Sequence, residues 1–220
     1  MDKKLYIELI GMPASGKSYY LKKIKKNFKK EEIKSNNFEE LNKISKFFFL
    51  IFFIVRYPIY SIKVIYIFLN LDFKDRETRR HLYYFLNEAP LRIYNQFNKK
   101  IIINSEGFRY RSVHYINSLK NIFKKKHIKK FIDTSPKVHL LIFVKSSKNL
   151  NIKRSKKRKN GYRYTNQDLE LYSKNEKIIL QICQESRKKS IVLQISKKSE
   201  KKDLKKILNI IKRMSRINLK

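Results

Sequence analysis

The apolar positions of the chain fall into two kinds of pattern. Continuous runs at Leu5–Ile10, Ile101–Ile103, Val138–Val144 and Ile191–Ile195 are short and bounded by polar residues, which is how strands buried on both faces read. A further short strand is predicted over Ile33–Phe38. Between the runs, apolar residues recur three and four apart. Tyr19–Lys30 reads as a helix with Leu21, Ile24 and Phe28 on one face and lysines on the other. Asp75–Glu88 reads as a helix with Leu82, Phe85 and Leu86 inward; Pro90 is expected to break it and to open another over Leu91–Phe97. A helix is predicted over Tyr110–Phe123, trailing into the basic run Lys124–His127, and a very basic one over Lys148–Lys159, with Gly161 marking its end. Thr165 with Asp168 resembles a capping box ahead of a helix that turns Leu169, Tyr172, Ile179 and Ile182 inward. Leu204, Ile207, Leu208, Ile211 and Met214 form the stripe of a C-terminal helix. Strands alternating with helices predict a single three-layer α/β domain over residues 1–220. Its parallel sheet would hold about five strands, with helices on both faces.

One stretch does not fit the pattern of a covered helix. Phe47–Val55 is apolar throughout, and after Arg56-Tyr57-Pro58 a second apolar stretch runs from Ile59 to Leu71. Ile59, Ile62, Tyr66, Leu69 and Phe73 stand at helical spacing, so the pair predicts a helical hairpin. Two membrane crossings need about 40 residues, more than 47–71 supplies. A single crossing would put the first strand and the later ones on opposite sides of a bilayer. The hairpin is therefore expected to be buried, to meet a second copy of the chain, or to lie on a membrane face.

The chemistry is concentrated near the start. Gly11-Met12-Pro13-Ala14-Ser15-Gly16-Lys17-Ser18 satisfies G-x-x-x-x-G-K-[ST], between the first strand and the first helix. In such a P-loop the backbone N–H groups and the helix N-terminus face the phosphates of a nucleoside triphosphate. Lys17 would reach the β- and γ-phosphates of ATP, and the Ser18 hydroxyl would ligate Mg²⁺. Further along, Arg154 and Arg158 stand four apart on one face of the basic helix, suited to an anionic phosphoryl group. Glu106 follows the Ile101–Ile103 strand within Ser105-Glu106-Gly107.

Charge adds less than its size suggests. The formal net charge is +36, from 54 Lys and Arg against 18 Asp and Glu. Most of the excess is lysine scattered through a chain also rich in Ile, Asn, Phe and Tyr, which reads first as a solvated surface. No nucleic-acid-binding motif accompanies it, so nucleic acid is not the expected partner. Cys183 is the only cysteine, which excludes an intrachain disulfide and a multi-cysteine metal site and fits a reducing cytosol. No signal peptide is read at the N-terminus, so the expected location is cytoplasmic, at most peripheral to a membrane. His81, His114, His127 and His139 lack metal-ligand spacing.

The P-loop near the N-terminus, the Ser105-Glu106-Gly107 strand end and the Arg154/Arg158 helix together resemble the P-loop small-molecule kinases, the nucleoside and nucleotide kinases and their relatives. The resemblance implies an ATP- and Mg²⁺-dependent phosphotransferase. The γ-phosphate would pass to a small acceptor, such as a nucleoside or nucleotide. Residues 148–165 would form an arginine-bearing lid, and 44–98 the acceptor region. By resemblance, Glu106 would act as base on the acceptor or hold Mg²⁺ through water. The chain departs from the pattern at Asn104 and Ser105, where many relatives carry Asp. That neutral pair leaves open a nucleotide-binding regulatory or assembly protein with little catalysis. The apolar hairpin leaves open a membrane-surface protein with a lipid-linked acceptor. Arg76, Arg79 and Arg80 are read either as an anion site or as a solvated helix face.

Overall fold

A computed structural model describes residues 4–29, 33–35, 41–69, 76–98, 101–105, 107–118, 125–157, 164–196 and 199–217. Five parallel strands form one sheet: β1 (Leu5–Ile10), β2 (Ile33–Ser35), β3 (Ile101–Asn104), β4 (Leu140–Lys145) and β5 (Ile191–Ser196), in the order β2-β3-β1-β4-β5. β1 is central, pairing Leu5 with Ile101 on one side and Ile7 with Leu140 on the other. All six of its residues are buried, which is why the strand reads as an apolar run and not as an alternation.

The period of two sends successive side chains to opposite layers. Leu5, Ile7 and Leu9 pack with Tyr20 and Ile24 of α1 (Lys17–Lys25) and with Ile207 and Ile211 of α10 (Glu200–Ile217). On the other face, Ile10, Leu141 and Phe143 meet Tyr110 and Val113 of α5 (Phe108–Ser118) and Ile179 and Ile182 of α9 (Tyr172–Ser186). A third cluster is purely helical. It joins Phe53 of α2 (Lys43–Arg56), Tyr60 and Val64 of α3 (Pro58–Leu69) and Phe85 of α4 (Arg76–Asn98) to Phe108 and to Phe131 of α6 (Lys125–Thr134). The predicted hairpin is thus two helices, turning by 111° at the Tyr57–Pro58 elbow.

Three expectations need correction. Pro90 does not end a helix: α4 runs through it without interruption from Arg76 to Asn98. Proline removes one N–H from the ladder and crowds the preceding turn, at a cost of about 3 kcal/mol. Phe85, Leu91 and Ile93 are all buried around it, and burial of such side chains contributes about 1.5–3 kcal/mol each, enough to hold the turn. The basic run at 124–127 leads into α6, a helix the lysines concealed; Ile128, Phe131 and Ile132 are its buried stripe. The helix after Thr165 is split at Leu171 into α8 (Asn166–Glu170) and α9.

His139 joins strand to strand in an unusual way. Its backbone N–H donates to the Tyr6 carbonyl (2.8 Å), and its Nδ1 accepts from the Tyr6 N–H (3.0 Å). Its ring also stacks on that of Tyr6, with centroids 5.9 Å apart. An Nδ1 that accepts must be unprotonated. Burial, with the charges of Lys137 and Arg92, pushes the imidazole down to about 4. The folded value lies below the ordinary 6.5, so this contribution to stability is complete above pH 6.5 and is lost as pH falls towards 4. Discounted for partial exposure, it is on the order of 2 kcal/mol. Denaturant melts at pH 7 and pH 4.5 should show His139→Gln losing less stability across that interval than the wild type.

Candidate functional site

The loop between β1 and α1 is shaped by its two glycines. A Cβ on Gly11 would come within 2.6 Å of the Val144 carbonyl oxygen, so only glycine lets the loop pass the end of β4. Gly16 adopts φ 108°, outside the range comfortable for L side chains, and caps α1 without a side-chain hydrogen bond. Ala14 also has a left-handed backbone, at φ 59°. Met12 to Ser15 closes as a turn, the Ser15 N–H donating to the Met12 carbonyl at 3.1 Å. Pro13 and the remaining loop residues follow this curve into the first turn of α1. That turn holds no acidic residue, so its N–H groups and positive dipole end meet no carboxylate of their own helix.

Lys17 is buried, a costly place for an ammonium. Its Nζ donates to the carbonyls of Gly11 (2.8 Å) and Met12 (3.1 Å) and lies 4.6 Å from the ring centroid of Tyr110 on α5. The charge is thereby folded back across the mouth of its own loop. The Ser15 hydroxyl is buried with no hydrogen-bond partner among the described residues. An ammonium held by carbonyls and an orphaned hydroxyl in a glycine-shaped cradle are polar groups that an anion of phosphate size would engage. Ser18, one residue on, is exposed.

α7 (Lys148–Lys156) leans over this loop. Its start is fixed after β4 by the Ser147 hydroxyl, which accepts from the Leu150 N–H (3.4 Å), and by Asn151, which donates to the Tyr172 hydroxyl (2.7 Å). Arg154 donates through its guanidinium to the carbonyls of Ser15 (3.1 Å) and Ala14 (3.4 Å). The Tyr164 hydroxyl donates to the Pro13 carbonyl (2.7 Å), and its N–H donates to the Ser155 hydroxyl (3.1 Å). Three loop carbonyls are thus held from the α7 side. Arg158 lies outside the described residues, as do residues 158–163 of the expected lid.

Sequence reasoning passed over the carboxylates below the loop. Glu8, the one charged residue in β1, is buried and accepts from the N–H groups of Phe108 (3.1 Å) and Arg109 (2.9 Å), capping α5 from across the sheet. Burial pushes its carboxyl up; the Arg109 charge and the two N–H donors pull the other way. A lone Glu in an apolar strand was the available signal. Glu106 lies outside the described residues. Asn104, at the end of β3, donates to the buried carboxylate of Glu88 on α4 (2.8 Å). A carboxylate therefore does stand at that strand end, brought by a helix 16 positions earlier in the chain. Tyr110 and the buried Arg111, whose guanidinium lies 3.7 Å from the Tyr84 ring centroid, were also missed; on a short basic helix nothing singled them out. Arg79 is exposed, whereas the side chains of Arg76 and Arg80 lie outside the described residues. Among the described residues no three His, Cys, Asp or Glu side chains converge on a metal-sized site.

No protein-family model and no curated protein sequence matches the chain. Among solved structures it is similar to deoxyadenosine kinase from M. mycoides with bound dATP, at 16% identity and a TM-score of 0.53, over 94% of this chain and 98% of that one. The same enzyme with bound dCTP aligns over the same shares at 14% identity and a TM-score of 0.49. At such identities the likeness is one of fold: the chain shares the α/β architecture of that enzyme, a parallel sheet covered by helices, as the resemblance implied for the fold.

Proposed function

We propose that the chain is a phosphotransferase that moves the γ-phosphate of ATP to a small acceptor, with a nucleoside as the first class to test. The observation that carries the reading is the meeting of two cationic side chains on one loop. Lys17 lies on the Gly11 and Met12 carbonyls, and Arg154 on those of Ala14 and Ser15. Two cations parked on carbonyls are well placed to transfer those bonds to the oxygens of a triphosphate seated in the loop. The nucleoside class is suggested by the deoxyadenosine kinase fold neighbour.

In this reading Gly11 to Gly16 wrap the phosphates with backbone N–H groups, and Lys17 holds the β- and γ-phosphates. Arg154, with Arg158, closes from the lid. Ser18 would hold Mg²⁺, which supplies charge neutralisation between the phosphates when bound. Glu106 orients or deprotonates the acceptor hydroxyl. Positioning and fixed charge do the catalytic work, since phosphoryl transfer asks for little covalent chemistry from the protein. The chain acts in the cytoplasm as a 1–220 unit, with 44–98 serving the acceptor side.

Arg154→Ala should lower kcat/KM for transfer by about tenfold to a hundredfold, with the melting temperature nearly unchanged; Arg154→Lys should not restore it, because lysine lacks the planar fork. The test of the reading itself is ADP release with Mg²⁺-ATP, alone and with pooled nucleosides, nucleoside monophosphates, sugars and lipid alcohols. One pool should stimulate release. Tight ATP binding with no response to any pool would favour a regulatory nucleotide binder, a reading prompted by the neutral Asn104 tied to Glu88.

A further inference from the structure

The two helices of the hairpin are apolar on both sides, and among the described residues only one side is covered. Inward, Phe53 is fully buried among the rings of Tyr57, Tyr60, Phe85 and Phe108, at centroid distances of 5.0–6.2 Å. Outward, α2 presents Ile44, Phe47, Phe48, Ile51, Phe52 and Val55, a stripe at three-four spacing. The outer stripe of α3 is Ile59, Ile62, Ile65, Tyr66 and Leu69. These eleven side chains are 43% (Ile65) to 72% (Val55, Leu69) exposed. The four aromatic rings among them present roughly 400 Å² by themselves, already the size at which an exposed patch marks an interaction site.

Charge selects the partner. No Asp or Glu occurs anywhere in 41–69, whereas Lys43 and Arg56 stand exposed at the two ends of α2. Beside α3, Lys63 donates to the Lys130 carbonyl at 3.0 Å, which brings the exposed Lys129 and Lys130 to the same flank. A second copy of the chain would set a like-charged rim against this one, on a molecule of net charge +36. An anionic lipid leaflet offers hydrocarbon to the stripes and phosphate to the rim. Length excludes a crossing by either helix: 14 and 12 residues reach about 21 and 18 Å, against roughly 30 Å of hydrocarbon.

We infer that the outer faces of α2 and α3 form a docking foot that seats in the interface of an anionic membrane, the helices lying in its plane while their inner faces stay packed on the protein. This does not depend on the kinase reading. The test is flotation of the full chain with vesicles of phosphatidylcholine and phosphatidylglycerol (3:1) and of phosphatidylcholine alone. The wild type should float with the anionic vesicles at 0.15 M salt, float less with neutral ones, and keep part of its binding at 0.5 M salt, where charge alone is screened.

The charge-neutral variant Phe48→Ser/Phe52→Ser/Ile62→Ser should reduce partition at least tenfold while melting as the wild type does. Flotation unchanged in that variant would overturn the inference, whether or not the substitutions also dissolve a dimer on sedimentation. So would failure of the wild type to float. The chain has no tryptophan, so a single Phe48→Trp variant reads the same contact without disturbing the foot. Its emission should shift to the blue on anionic vesicles and be quenched by brominated lipid. A tryptophan at exposed Ile191 on β5 should do neither. Equal behaviour of the two probes would contradict the inference.

Discussion

Lys17→Ala should lower phosphoryl transfer by at least a hundredfold to a thousandfold, the range seen when one fixed electrostatic group is removed from a site that stabilises developing charge. The side chain has no substitute in the loop. Its ammonium is buried and reaches the carbonyls of Gly11 and Met12, whereas Arg154 approaches the later carbonyls of Ala14 and Ser15. The fold should tolerate the change. Each of the two carbonyls released loses one donor, but the ammonium that was costly to bury is removed with it, so the net cost in stability is expected to be about 1 kcal/mol. Steady-state kinetics beside a denaturant melt separates the two effects. Wild-type turnover in a folded Lys17→Ala protein would remove the loop from the chemistry.

Gly107→Ala should be strongly damaging for the addition of a single methyl. A Cβ there would come within 2.3 Å of the Glu8 carboxyl carbon, and both are buried. The carboxylate cannot hold its place, and with it go the two N–H bonds that cap α5 at Phe108 and Arg109. Arg109 is itself fully buried, its guanidinium donating to the Ile132 carbonyl at 2.7 Å and to the Ser135 hydroxyl, so little room exists for a shifted Glu8. The expected loss is about 3 kcal/mol, from an uncompensated buried carboxylate and two uncapped donors. The substitutions should be strongly non-additive. Glu8→Ala removes the obstacle, so Glu8→Ala/Gly107→Ala should cost little more than Glu8→Ala alone, with a coupling of about 2–3 kcal/mol in a double-mutant cycle. Independent costs would show that Gly107 is held for another reason.

What could be read from the sequence follows from which physics is local. The strands were legible because parallel strands covered on both faces leave continuous apolar runs, as in Leu5–Ile10 and Leu140–Val144. The loop was legible because its glycines and Lys17 stand at fixed spacing within eight residues. α4 was misread at Pro90 because propensity counts the missing N–H but not the buried neighbours that offset it. Glu88 was invisible as part of the β3 end, since its pairing with Asn104 exists only once α4 has packed. The hairpin illustrates the same limit from the other side. Spacing identified α3 as a helix and α2 as its partner in a hairpin, but with apolar residues all round, periodicity could not say which stripe the protein would cover and which it would leave to a partner.

The most direct measurement follows the γ-phosphate itself. The full chain is incubated with Mg²⁺ and γ-labelled ATP in the presence of pooled deoxynucleosides and ribonucleosides, and the label is separated by chromatography. The kinase reading predicts label in a nucleoside monophosphate, with at least about a hundredfold less formed by Lys17→Ala and about tenfold to a hundredfold less by Arg154→Ala. Label found only in inorganic phosphate, at a rate indifferent to every acceptor, would contradict it and make the loop that of a nucleotide hydrolase or sensor.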